Sequence, residues 1–178
     1  QSESYLVQGM GALELEINRQ RYLDGGHISR NPSIQKDFLR DLLEIESALT
    51  TAHFRVPNWL NQSSHCIAEM LQGMRLGDGG LARFNGGGSC ESEEIEELLS
   101  KVKIKKKAPS AYLHSGFHRL EAAQTVLVMD VGTPPARDAN RWGHAGALSF
   151  ELSAGKERLI VNCGATGILG EDWHQALR

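Results

Sequence analysis

The stretch LDGGHISRNP, residues 23–32, stops one amphipathic run and starts the next, and GDGGLARFN, residues 77–85, does nearly the same again. Asp24, Gly25, Gly26 and Arg30 in the first copy answer to Asp78, Gly79, Gly80 and Arg83 in the second, with the arginine one residue earlier. Each copy closes on an asparagine, Asn31 or Asn85. Glycine supplies the left-handed turn favoured at a helix C-terminus. Asn31-Pro32 then opens a helix well, with Asn as the N-cap and Pro at the first helical position.

Working outward, residues 4–22 carry Leu6, Met10, Leu13 and Ile17 at three- and four-residue spacing, which predicts an amphipathic helix. The helix opened by Asn31-Pro32 runs to about Ala52, with Phe38, Leu42, Ile45 and Leu49 along one face. A third begins after Pro57 with Leu60, Ile67, Met70, Leu71 and Met74, and the second DGG ends it. A short acidic helix follows from Ser92 to about Lys103. This is the grammar of antiparallel helical hairpins, in which every second turn faces the same end. The two DGG copies read either as a structural repeat or as ordinary helix punctuation.

After Pro109 the hydrophobic period changes to two. AYLHSGFHRLEA (111–122), QTVLVMDVG (124–132) and GALSFELSAGKERLIVNCG (146–164) alternate or run apolar between turn signals. Ser153–Lys156 reads as a tight turn. The expected fold is therefore α+β, with helical hairpins over residues 1–107 and antiparallel sheet over residues 108–178. The final EDWHQALR has no visible strand partner, so the sheet reads as incomplete. The basic run Lys101–Lys107 reads as a solvated linker ahead of a patch for an anionic partner. His114 and His118 read as one face of a single strand, too far apart for a compact metal pair.

Composition excludes several classes. Among 178 residues, Lys+Arg 19 against Asp+Glu 22 leave a net charge of −3, which argues against a general nucleic-acid binder. No apolar run is long enough to span a bilayer. The chain opens on Gln1, so a removed leader or a piece of a longer polypeptide is expected. Cys66, Cys90 and Cys163 are odd in number and lack C-x-x-C spacing, so neither a zinc ribbon nor a disulfide framework is indicated. They read as free core thiols, and the strand ending at Asn162-Cys163-Gly164 reads as buried.

Trp142-Gly-His144-Ala-Gly146-Ala-Leu-Ser-Phe-Glu-Leu, followed by the glycine hairpin SAGK and an apolar strand ending in Gly, resembles the H-x-H-x-D…LSFEL stretch of heparinase II/III-like polysaccharide lyases. DGGHISRNP is similar to that family's DG loop before a helix of its α/α toroid, and the order of helices before sandwich agrees. The resemblance implies the late toroid and early β-sandwich of a longer member, periplasmic or in the cell envelope, acting on uronate-containing acidic polysaccharide by β-elimination. Such chemistry must neutralise a carboxylate, supply a base and protonate the leaving oxygen.

Three positions depart from the family pattern. Pro32 is followed by Ser33, Ile34 and Gln35 where active members place a tyrosine, and Trp142 and Gly146 replace the first histidine and the aspartate of the motif. His144 is then the expected catalytic residue, with His27, Arg30, Arg83 and Asn85 as substrate contacts. The plainer alternative makes the glycines helix stops, Asn31 a cap and the arginines surface residues. No cofactor is expected, because a divalent metal at His144 alone would need ligands from elsewhere. The alternative function is a non-catalytic carbohydrate-binding or envelope-polymer protein on the same scaffold. Helix faces left uncovered imply self-association.

Overall fold

The computed structural model describes residues 2–104, 107–135, 139, 143 and 146–163. Four helices come first: α1 (Ser2–Gln20), α2 (Pro32–Thr51), α3 (Asn58–Gly73) and α4 (Ser92–Val102). The Asn31 side chain accepts from the Ser33 and Ile34 amides at 2.8 and 3.2 Å, and Pro32 occupies the first turn, so α2 starts where its cap dictates. α2 packs on α3 and α4, and α1 packs on α3. Leu39, Leu42, Leu60, Ile67 and Leu71 are fully buried along the α2–α3 seam. Each such side chain contributes about 1.5–3 kcal/mol, so this seam is the main source of helical stability. Among its described side chains α1 buries only Ile17 completely, and it leaves Tyr5, Val7 and Leu15 exposed.

Five strands follow as a meander, ordered β1-β2-β3-β4-β5 and antiparallel throughout: β1 (Ala111–Tyr112), β2 (Phe117–Ala122), β3 (Thr125–Asp130), β4 (Phe150–Ala154) and β5 (Glu157–Ile160). The architecture is therefore α+β, helices before sheet, as the change of period implies. The segment 111–122 is not one strand. A turn at residues 113–116 divides it, so His114 and His118 sit on different elements, both exposed. The predicted turn between β4 and β5 is the two-residue Gly155-Lys156, with Gly155 at φ +56°.

The sheet's polarity runs opposite to a simple amphipathic plan. Pairing places Phe117, Arg119, Val126, Val128, Asp130, Glu151 and Ser153 on one face, and Arg119, Asp130, Glu151 and Ser153 are buried there. The other face carries Leu120, Leu127, Met129, Phe150 and Leu152, none of them fully buried, with Leu120 59% exposed. Helices thus cover the polar face, because their loops supply its polar partners: the Arg30 guanidinium for Asp130, the Arg83 amide for Glu151, the Gly73 and Arg75 carbonyls for Arg119, and the Gly77 amide for Ser153. β5 is mostly exposed and Cys163 is an exposed free thiol, which corrects the reading of a buried strand end; Cys66 and Cys90 are free and partly buried. One buried apolar cluster extends from Ile17 in α1 to Tyr112, Phe117 and Val128 in the sheet.

Candidate functional site

The two DGG loops have the same backbone. Tyr22 N–H donates to Gly26 O and Gly25 N–H to Tyr22 O; Leu76 N–H donates to Gly80 O and Gly79 N–H to Leu76 O. Isolated bridges pair Arg21 with His27 and Arg75 with Leu81. Gly25 and Gly79 have φ +87° and +84°, and a side chain at Gly25 would overlap the Cys66 carbonyl. In each loop the aspartate turns one oxygen inward, with Asp24 Oδ1 accepting Gly26 N–H at 3.2 Å and Asp78 Oδ1 accepting Gly80 N–H at 3.0 Å.

The other oxygen reaches the sheet. Asp24 Oδ2 accepts the His114 and Ser115 amides at 2.8 and 2.7 Å and the Ser115 hydroxyl at 3.1 Å. Asp78 receives both Nε and Nη2 of Arg158, at 2.6 and 3.1 Å. Burial raises the Asp78 carboxyl, but the Arg158 guanidinium and the Gly80 amide outweigh it and hold it below the usual carboxylate range. The motif is a clasp between helices and sheet.

The arginines of the two copies are not equivalent. Arg30, at φ +55°, is buried over the Phe117 ring at 4.9 Å. Its Nε donates to Ser115 O at 2.7 Å and Nη1 to Thr133 O at 2.6 Å, and Nη2 is ion-paired with Asp130. The carboxylate it meets is internal. Asn85 is also buried and in the left-handed region; its Nδ2 donates to Arg30 O at 3.0 Å, and its own carbonyl accepts from Asn31 Nδ2 at 2.9 Å. The two asparagines lock the loops to one another.

His27 lines a small pocket of about 10 Å³, room for roughly one water, together with Arg30, Asn31, Gln35, Met70, Met74 and Phe117. Its Nδ1 accepts from the Ser29 amide at 3.1 Å, and its Nε2 lies 3.3 Å from Gln20 Oε1, which fits a neutral ring protonated at Nε2. Phe38 packs edge-on at 5.3 Å. Burial lowers the His27 pKa from 6.5 to about 4. Arg83 differs from its companions. Its amide donates to Glu151 Oε1 at 2.6 Å, but its buried Nε has no hydrogen-bond partner among the described residues.

His144 and Trp142 lie outside the described residues, so the loops bring together His27, Arg30 and Asn85, with Arg83 beside them on Glu151. Gly146 O accepts from Ser149 N–H and Leu148 N–H donates to Asp130 O, which joins the segment after His144 to the Arg30–Asp130 pair. Glu151 carries no functional signal in the sequence beyond its place in the LSFEL stretch. It is 0% exposed and gathers Arg83, Arg158 and Asn162. Its alternation with Phe150 and Leu152 is a pattern ordinarily read as solvent-facing. Tyr112 is buried, donates to Glu69 O at 3.2 Å and has its pKa raised by that burial. No group of three or more metal-ligating side chains occurs among the described residues.

Comparison with known proteins adds four findings. Residues 104–178 match the family described as Heparinase II/III-like, C-terminal. FtsZ-localized protein C of Caulobacter vibrioides (strain NA1000 / CB15N) is 30% identical over 162 residues, covering 91% of this chain and 28% of that protein. Heparan sulfate lyase HepC from Pedobacter heparinus superposes with a TM-score of 0.79 at 17% identity, over 99% of this chain and 31% of that one. A heparinase III described as the BT4657 gene product gives 0.77 at 18% identity, over 94% and 31%. The chain thus spans less than a third of the length of these relatives, and the likeness to the two lyases is one of fold.

Proposed function

We propose, for a chain whose residues 104–178 belong to the heparinase II/III-like C-terminal family, that it is part of a cell-envelope protein that binds acidic polysaccharide without cleaving it. The supporting observation is that the loop groups suited to elimination chemistry are engaged in folding. Arg30 is spent on Asp130 and three carbonyls, Asn85 on Arg30 and Asn31, and His27 stays neutral far below physiological pH. Gln35, just past the proline where active members place a tyrosine, is buried and bonds Gly25 O and Ile67 O at 2.8 and 3.0 Å. In this reading His27, Arg30 and Asn85 frame the surface and Arg83 meets the polymer. The 30% identical relative is named for localisation with FtsZ.

The rival reading is a lyase in which His144 acts as acid or base. The heparinase fold favours it. The full-length protein should be incubated with alginate and heparan sulfate while ultraviolet absorbance of an unsaturated product and polymer binding are followed together. Binding with flat absorbance is expected. An absorbance that rises with time and is abolished by His144→Ala would establish the lyase instead.

A further inference from the structure

We infer that the groove between α4 and the end of α3 docks an extended peptide segment of another protein. That segment carries a basic side chain near one end, a carboxylate near the other and an apolar side chain between. The groove has two lobes. One, of about 450 Å³, lies among Leu99, Lys103, Ile104 and Lys107; the other, of about 480 Å³, lies among Asp78, Glu93 and Glu97. Arg75, Glu96 and Ser100 line both, and the Arg75–Glu96 ion pair at 2.8 Å crosses from one wall to the other. None of His27, Arg30, Arg83 or Asn85 lines either lobe, so the groove is independent of the polymer-binding reading.

The sequence of α4 builds this surface. Ile95, Leu98, Leu99 and Val102 are buried, which leaves Glu93, Glu96, Glu97 and Ser100 exposed on the opposite side. The helix stops at Lys103, whose left-handed backbone at φ +54° turns the chain and leaves its side chain in solvent. Leu99 and Ile104 give the lobe at this end an apolar floor.

Charge selects the occupant. Most charges at the groove are already matched: Arg75 on Glu96, Glu97 on Lys101, Lys107 on Glu121 and Asp78 on Arg158. Glu93 and Lys103 are exposed and have no side-chain partner among the described residues. They stand ten positions apart, about 15 Å along the helix. An extended chain covers that span in four or five residues at about 3.3 Å each. A cation at one end then meets Glu93, an anion at the other meets Lys103, and a central leucine covers Leu99 and Ile104. Four carboxylates, Asp78, Glu93, Glu96 and Glu97, line one lobe, so an acidic polymer is repelled there.

Fluorescein-labelled peptides GGKALADGG, GGKALAKGG and GGDALADGG should be titrated into full-length wild type, Glu93→Lys and Lys103→Glu, with anisotropy as the readout. Both positions are exposed, and thermal melts matching wild type verify the fold. Wild type should prefer the bipolar peptide about fivefold over either of the others, since exposed ion pairs are individually weak. Glu93→Lys should shift the preference to the doubly acidic peptide, and Lys103→Glu to the doubly basic one. Replacing the central leucine of the bipolar peptide by glycine should weaken binding to wild type. Absence of peptide binding, or a preference unmoved by both reversals, overturns the inference. Displacement of the bipolar peptide by alginate overturns it in favour of a polymer site.

Discussion

At the scale of single residues, burial decides chemistry more than residue type does. Sequence reading grouped His27, Arg30, Arg83 and Asn85 because each can bond a sugar, and spacing carries no information on which of them the fold consumes. Arg30 is consumed because the left-handed backbone at this position aims its side chain at Asp130, and neither the φ angle nor the partner, a hundred residues away, is legible locally. Asn31 was legible, because capping depends only on its immediate neighbours. His27 gives a pH prediction. Its folded pKa of about 4 lies below the ordinary 6.5, so the unfolded chain takes up the proton first. The stability due to the neutral ring is therefore complete above about pH 6.5 and declines as pH falls toward 4, by up to about 3 kcal/mol. Urea midpoints measured between pH 7 and 4.5 should drop in the wild type and drop less in His27→Gln. Equal slopes would show that this ring is not the titrating group.

At the scale of elements, helices and strands were readable from hydrophobic period, and their mutual orientation was not. Alternation in β4 separates Phe150 and Leu152 from Glu151 and Ser153, but only the loops opposite make the polar side the inner one. The DGG aspartates carry this docking. Asp78→Ala leaves Arg158 with the Leu81 carbonyl at 3.0 Å and one long ionic contact, to Glu151 at 3.5 Å, and Asp24→Ala leaves two amides of the β1–β2 turn without their acceptor. Each should cost about 2 kcal/mol in chemical denaturation. Glu97→Ala, which removes an exposed pair with Lys101, should cost under about 0.5 kcal/mol. If Asp78→Ala behaved like Glu97→Ala, the clasp would be solvated and energetically idle. Adding Arg158→Met to Asp78→Ala should recover part of the loss, because the orphaned charge is then removed.

At the scale of the whole molecule, helices and strands share a single apolar cluster, while the outer sheet face and much of α1 stay open. The chain alone should therefore self-associate, and light scattering on purified material should give a mass above 19.6 kDa that rises with concentration. A monodisperse monomer would show that these faces are harmless in water. The ionic seam between loops and sheet has a consequence for inheritance. A greasy interface tolerates drift, since one aliphatic side chain substitutes for another at small cost, but Asp78 with Arg158 and Arg30 with Asp130 admit no unilateral change. Lineages carrying this scaffold should alter such partners jointly or leave them alone, and a chimera that grafts these helices onto a foreign sheet will assemble only when both halves of every pair travel together.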